Sequence, residues 1–150
     1  MGKLHHEIAI DAPAGEVWQA LADLEQVQHY NPVVAQARYV SSNREGVGAA
    51  RRCEFKPKGF SVERVIEWRP EELLGLEVLE SSWPLKSSRW WTRLSHENGR
   101  THVSQDLEYE PKWGVLGRAM DAAMMRRKMD QVVADIFQGL KQFVERGDRP

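Results

Sequence analysis

The chain of 150 residues contains very little cysteine, because Cys53 is its only one. A lone cysteine excludes an internal disulfide and any thiolate cage around a metal, and it is typical of a reducing compartment. The chain also lacks an apolar run long enough for a signal peptide or a membrane span. We therefore expect a cytoplasmic protein that does not cross a membrane.

Charge of one sign is not in excess either. The chain has 21 basic and 22 acidic side chains, and the two signs are interleaved along the sequence. Domains that bind nucleic acid usually carry a basic face, so this balance predicts no nucleic acid partner.

The familiar catalytic and cofactor motifs are absent. The sequence has no His-x-x-x-His, no Cys-x-x-Cys, no glycine-rich phosphate loop and no Gly-x-Ser-x-Gly elbow. These absences argue against hydrolytic zinc sites, nucleotide cofactors and serine catalysis. The sequence therefore predicts no metal site and no cofactor.

What the sequence does contain is a long helical pattern from Trp113 to Glu145, which is free of proline. One apolar stripe at helical spacing predicts packing against a sheet and comprises Val115, Ala122, Met125, Met129, Val132, Val133, Ile136, Leu140 and Phe143. A second stripe, confined to the first half, comprises Trp113, Leu116, Met120, Ala123 and Met124. A ligand, a loop, a partner chain or a kink would have to cover that second stripe.

The chain before this helix reads mainly as strand. A strand at 6–10 is followed by two short helices, the first opening at Pro13 and the second covering 25–30. Alternating patterns separated by turn residues then predict six more strands, at 34–41, 48–55, 60–68, 73–79, 87–96 and 101–110. Because tight turns join them, the strands should pair antiparallel.

These elements predict one α+β domain over residues 1–150. It has a curved seven-stranded antiparallel sheet around the long C-terminal helix, with two short helices after the first strand. A single helix does not fill the concavity of a curved sheet, so we expect a cavity between them.

Several short motifs in this order resemble the START-like (SRPBCC) superfamily, and its polyketide cyclase/dehydrase branch in particular. They are Ala12-Pro13, Val17-Trp18, Leu21-Ala22-Asp23, Asn31-Pro32, Gly46-Val47-Gly48, Glu67-Trp68, Thr101-His102-Val103 and Tyr109-Glu110-Pro111-Lys112. The resemblance covers nearly the whole chain and implies the helix-grip fold with an apolar cavity. It does not imply one activity, because the superfamily includes lipid carriers, hormone receptors, pollen allergens and aromatase/cyclases.

Strand alternation then selects candidate ligand-binding residues. In the strand 60–68 the apolar positions should face the helix together with Arg64, leaving Ser61, Glu63 and Glu67 outside. A buried arginine needs either an internal carboxylate such as Glu80 or a ligand group. The predicted cavity residues are Arg51, Val62, Arg64, Ile66, Trp68, Leu76, Val78, Trp90, Gln105, Leu107, Tyr109, Met125 and Met129. Trp90 and Trp91 must face opposite sides, and the pattern does not decide which one is inside.

Three functions fit these observations. The first is a carrier or sensor that encloses a small apolar or amphipathic molecule. The second is a cyclase/aromatase or dehydratase in which Tyr109 and Arg64 polarise a carbonyl group. The third is an interaction module in which the apolar first half of the terminal helix docks either a partner or a second copy of the chain, the latter giving a homodimer.

Overall fold

The computed structural model describes residues 2–112, 119 and 124–147. Seven strands, three α-helices and one 3₁₀ turn (Leu24–Gln26) make up the described chain. The strands are β1 (Gly2–Ile10), β2 (Val34–Tyr39), β3 (Ala50–Phe55), β4 (Phe60–Arg69), β5 (Leu73–Ser81), β6 (Leu85–Glu97) and β7 (Arg100–Pro111). The helices are α1 (Ala14–Ala22), α2 (Val27–Tyr30) and α3 (Arg126–Arg146).

The strands form one antiparallel sheet in the order β1-β7-β6-β5-β4-β3-β2. The first strand therefore pairs with the last, and the others follow as a meander. The curved sheet, the long C-terminal helix and the short helices after β1 confirm the fold that the sequence predicts.

The hairpin between β6 and β7 follows directly from its turn residues. Glu97 pairs with Arg100, so the loop consists of Asn98 and Gly99 alone. Both have positive φ, 49° and 82°, as a two-residue type I′ turn requires. Asn-Gly is the dipeptide that adopts this conformation most readily, which explains why the register of the two longest strands is fixed here.

The helix α3 carries the predicted apolar stripe over its described length. Its buried side chains are Met129, Val133, Phe137, Leu140, Phe143 and Val144, of which Phe137 and Val144 were not in the prediction. The helix ends at Gly147, whose φ of 68° gives the left-handed C-terminal cap that glycine allows.

Most of the predicted first half of this helix lies outside the described residues. This holds for Trp113, Val115, Leu116, Met120, Ala122 and Ala123. Met124, the last member of the second stripe, is 69% exposed. The interaction-module hypothesis therefore stays a prediction.

The helix α3 lies across the concave face, and its buried side chains contribute to two apolar clusters. The larger contains Ile10, Leu24 and Leu140, and the smaller contains Leu4, Tyr109 and Met129 among others. Members of both clusters border the cavity described next.

Candidate ligand-binding cavity

A cavity of about 170 Å³ lies between the concave face of the sheet and α3. Its walls are mainly apolar and aromatic. They are formed by Leu74, Leu76 and Val78 of β5, Trp90 of β6, Leu107 of β7, and Met129, Val132, Val133, Ile136, Phe137 and Leu140 of α3. Such a volume exceeds that needed for one water by about an order of magnitude, so the space suits an organic molecule.

Polar side chains enter the cavity from β3 and β4, where Arg51 and Glu63 are directly paired across the strands. Arg51 Nε donates to Glu63 Oε1 at 2.8 Å, and Arg51 Nη2 lies 2.7 Å from the same oxygen. Ser61 Oγ donates to the other carboxylate oxygen at 2.7 Å. Arg51 Nη1 donates to the Leu24 carbonyl at 3.1 Å, which ties the pair to the 3₁₀ turn.

This ion pair is almost wholly buried, with side-chain exposures of 7% for Arg51 and 10% for Glu63. Burial alone would lower the pKa of the Arg51 guanidinium, but the adjacent Glu63 carboxylate more than offsets this and raises the pKa. The Arg51 guanidinium therefore keeps its charge in this buried position, because the Glu63 carboxylate is its counterion.

Two neighbours of the pair are held in their neutral forms. Burial raises the pKa of the Tyr30 hydroxyl, although the nearby guanidinium of Arg51 opposes that shift. Burial also raises the pKa of the Cys53 thiol to about 12. Since the thiolate is the reactive form of cysteine, Cys53 acts here as a small apolar wall residue.

A second polar position lies on β6 and β7. Gln105 Nε2 donates to Thr92 Oγ1 at 3.1 Å, and the two residues are directly paired in the sheet. Both line the cavity, as does the buried Ser88 further along β6. The cavity thus offers one charged pair and one neutral pair for orienting a ligand.

The cavity wall near the β3–β4 and β5–β6 turns is aromatic. Phe55 and Trp83 lie there with ring centroids 6.0 Å apart. Both are partly exposed, and Val33 and Asn31 flank them from the segment after α2. This part of the wall is therefore suited to contact with an apolar molecule.

The prediction for β4 is wrong in its face assignment. Ser61 and Glu63 line the cavity, whereas Val62, Arg64 and Ile66 do not. Arg64 lies on the outer face and forms an ion pair with Glu77 of β5.

Trp68, also predicted to line the cavity, packs elsewhere in the core. A register shift between Val65 and Glu67 displaces the alternation of β4 by one residue. Trp68 consequently points inward but meets Trp18 of α1 edge-on, with ring centroids 5.1 Å apart. It is therefore a core residue and does not border the cavity.

Seven other predicted residues do border the cavity, namely Arg51, Leu76, Val78, Trp90, Gln105, Leu107 and Met129. Their alternation was assigned correctly, and Trp90 is the inner member of the Trp90-Trp91 pair. Trp91 faces outward, where its Nε1 donates to Glu67 Oε1 at 3.0 Å.

Tyr109 and Met125 were predicted to line the cavity, but neither of them borders it. Tyr109 is 1% exposed and belongs to the small apolar cluster, with Met125 packed against it. The arrangement in which Tyr109 and Arg64 polarise one carbonyl is therefore wrong, because Arg64 lies on the opposite face of the sheet.

Sequence reasoning missed several cavity residues, including Tyr30, Asn31, Ser61, Glu63, Trp83 and Thr92. It also named Glu80 as the internal partner of a buried arginine, but Glu80 is exposed and Glu63 holds that position. The signal for Glu63 was present in the hairpin register, because a residue directly opposite Arg51 must share its face.

Among residues 2–112, 119 and 124–147, no group of three or more His, Cys, Asp or Glu side chains is arranged to hold a metal ion. No helix within the same ranges has the length and hydropathy to cross a membrane.

The curved sheet, the single gripping helix and the cavity between them define a START-like helix-grip protein. Residues 1–145 match the family described as polyketide cyclase / dehydrase and lipid transport, and the chain belongs to that family. None of the curated protein sequences matches the chain.

Solved structures share the fold at low sequence identity. The Zhui aromatase/cyclase from Streptomyces sp. R1128 has a TM-score of 0.85 at 15% identity, covering 99% of this chain and 96% of its own. TTHA0849 from Thermus thermophilus has a TM-score of 0.82 at 22% identity, with 99% and 100% covered. Ara h 8.0201 has a TM-score of 0.76 at 12% identity, with 95% and 97% covered.

Proposed function

We propose that this protein binds a small, largely apolar molecule in the cavity between the sheet and α3. The observation that carries the proposal is a space of about 170 Å³ with apolar walls and two polar positions, Arg51–Glu63 and Thr92–Gln105. Burying a ligand there would release about 0.8 kcal/mol for each methylene group removed from water, and the polar pairs would set its orientation.

The family supports this proposal, since its description combines polyketide cyclization or dehydration with lipid transport. Those activities share one requirement, a pocket that accepts an apolar or amphipathic chain. The fold relatives have identities below 25%, so they support the architecture of the pocket and not a particular ligand.

The residues that line the cavity are better suited to binding a ligand than to catalysis by proton transfer. None of the described residues that line the cavity is a histidine, a lysine or an aspartate. The one carboxylate among them, Glu63, already accepts three hydrogen-bonding contacts, and the thiol of Cys53 has its pKa raised to about 12. A general acid or base needs a proton that it can exchange near neutral pH.

The test compares two adjacent residues of β5 that face opposite sides. Val78 lines the cavity and Leu79 is 49% exposed. Val78→Trp places an indole ring in the cavity, whereas Leu79→Trp adds the same ring to the outer surface. We expect Val78→Trp to weaken binding of the neutral fluorescent probe N-phenyl-1-naphthylamine by at least about tenfold and Leu79→Trp to leave it unchanged.

Circular dichroism verifies that both variants are folded, and native mass spectrometry of the wild-type protein reports any molecule that copurifies. A wild-type protein that neither binds the probe nor carries a copurified molecule would contradict the proposal. Equal binding of the probe by the two variants would show that the probe binds outside the cavity.

A further inference from the structure

The charges around the cavity cancel. Of the described residues that line it, Arg51 and Glu63 form an ion pair of opposite charges, and no other arginine, lysine, histidine, aspartate or glutamate is among them. Cys53 adds no charge, since burial raises the pKa of its thiol to about 12. The cavity is therefore an apolar space whose described walls carry no net charge.

The charges of Arg51 and Glu63 also form an ion pair with each other. The Glu63 Oε1 atom receives both Arg51 Nε at 2.8 Å and Arg51 Nη2 at 2.7 Å, while Oε2 accepts the Ser61 hydroxyl at 2.7 Å. Arg51 Nη1 donates to the carbonyl of Leu24 at 3.1 Å. No charge among the described lining residues is left without a counterion.

A charged ligand group has no favourable position in such a site. A carboxylate that approached Arg51 would compete with Glu63 and place two negative charges on one guanidinium, and an ammonium group that approached Glu63 would meet Arg51. Either ion would lose its hydration without gaining a counterion, which is costly in a buried site.

Neutral polar groups do have partners. Gln105 and Thr92 present amide and hydroxyl atoms to the cavity, held together by the 3.1 Å hydrogen bond. A hydroxyl or carbonyl oxygen can bond to such atoms without introducing a charge.

We infer that the molecule held in this cavity is uncharged and bears oxygen, as in an alcohol, a ketone or an ester, and is neither a carboxylate nor an amine. The inference rests on the proposed binding function and narrows its ligand class. It also assigns a role to Glu63, which neutralises Arg51 and thereby excludes anions from the cavity.

The experiment uses three ligands with the same eight-carbon chain, namely 1-octanol, octanoate and octylammonium, at pH 7. Binding to the wild-type protein is followed by NMR chemical shifts of cavity residues such as Leu76 and Trp90. We expect 1-octanol to bind at least about tenfold more tightly than either ion.

The variant Glu63→Gln keeps the size and a hydrogen-bond acceptor but removes the negative charge. We expect the preference to shift at least about tenfold towards octanoate, because Arg51 then lacks its counterion. Glu54→Gln is the matched control. Glu54 is paired with Arg52 (Oε1 to Nε, 2.6 Å), and neither residue lines the cavity, so the wild-type preference should persist.

Tighter or equal binding of octanoate or octylammonium by the wild-type protein would overturn the inference while leaving the binding function standing. An unchanged preference in folded Glu63→Gln would also overturn it. If none of the three ligands binds, the inference fails, and binding of N-phenyl-1-naphthylamine by the same protein sample decides whether the proposed binding function fails with it. The wild-type comparison decides the matter even if Glu63→Gln does not fold.

Discussion

Two arginine–glutamate pairs lie a few residues apart on the same sheet but on opposite faces. Arg51 and Glu63 face the cavity with side-chain exposures of 7% and 10%. Arg64 and Glu77 face outward with exposures of 47% and 22%. The residue types are the same, so the comparison isolates the effect of the surroundings.

The outer pair belongs to a row of alternating charge that crosses five strands. Successive direct pairs join Arg64, Glu77, Arg89, Glu108 and Lys3. Water solvates each of these side chains in the unpaired state as well, so each pair contributes only about 0–1 kcal/mol. Replacing any one side chain of the row should therefore cost little stability.

Water cannot replace a lost partner in the inner pair, because both side chains are buried. Desolvation of its two ions offsets most of their attraction, so the intact pair adds little net stability. Removing one partner, however, leaves an ion in an apolar cavity. The comparison teaches that a buried pair makes the fold vulnerable to single substitutions without making it very stable.

Truncating the carboxylate in each pair gives the largest expected difference. Glu63→Ala should lower the free energy of unfolding by about 3–5 kcal/mol, because the buried guanidinium of Arg51 loses its counterion. Glu77→Ala should lower it by less than about 1 kcal/mol, because water replaces the partner of Arg64. Urea denaturation of both variants and the wild type measures the two values.

Similar decreases in the free energy of unfolding for Glu63→Ala and Glu77→Ala would contradict the expected difference between the buried and the exposed pair. The double variant Arg51→Met with Glu63→Leu tests whether the unpaired buried ion causes the loss of stability. Replacing both charges by apolar groups should restore a large part of the stability lost in Glu63→Ala, since no unpaired ion remains.

Two glycines extend the comparison from charge to packing. A Cβ atom at Gly139 of α3 would lie 2.0 Å from the backbone oxygen of Tyr30, on the inner side. A Cβ atom at Gly75 of β5 would lie 2.9 Å from a side-chain atom of Trp91, on the outer face. A side chain at a surface can rotate away, but the backbone of α2 is fixed by the core.

Gly139→Ala should therefore destabilise the protein by about 1–3 kcal/mol through overpacking, even though alanine favours a helix interior by about 1 kcal/mol. Gly75→Ala should cost less than about 1 kcal/mol, because the Trp91 ring can move aside. Thermal unfolding monitored by circular dichroism gives both values. A neutral or stabilising Gly139→Ala would mean that α3 shifts freely over α2.

The fold was predictable because several local signals agreed. The Asn98-Gly99 turn, the alternating strands and the apolar stripe from Met129 to Phe143 each specify one element and are mutually consistent. The family resemblance then pointed to the same architecture. Element type and order follow from the sequence for this reason, while the strand ends differ by one to a few residues.

The inner face of β4 was not predicted correctly because two of its apolar residues, Phe60 and Val62, are on the outer face. Phe60 and Val62 resemble core positions, but the guanidinium of Arg52 covers the Phe60 ring at 4.1 Å from its centroid. Alternation alone cannot distinguish an apolar residue that faces the core from one that a long charged side chain covers.

The register of the β3–β4 hairpin contained the correct answer. Arg51 was predicted to face inward, Cys53 lies on the same face by strand alternation, and directly opposite residues share a face. Counting back from the turn places Ser61 opposite Cys53 and Glu63 opposite Arg51, as the structure has them. The register shift that redirects Trp68 has no comparable signal in the sequence, and it brings Trp68 against Trp18.

The smallest expected effect concerns a charged cluster on the outer face of β1 and β7. His5 Nδ1 lies 2.7 Å from Asp106 Oδ1, and His5 Nε2 lies 3.0 Å from Glu7 Oε2. Hydrogen bonds to Asp106 and then to Glu7 raise the pKa of His5 above its ordinary value of 6.5. A raised pKa means that the native state binds the proton more tightly than the unfolded state does.

The contribution of His5 to stability should thus be fully present below pH 6.5 and disappear as the pH rises through the pKa of the folded protein. Its size should stay below about 1 kcal/mol because the cluster is exposed to solvent. Asp106→Asn should lower the pKa of His5 measured by NMR titration, whereas Glu108→Gln, which removes a neighbouring carboxylate on the same face, should leave it nearly unchanged. Equal shifts in the two variants would show that the general charge of the outer face controls the titration and that the Asp106 hydrogen bond does not.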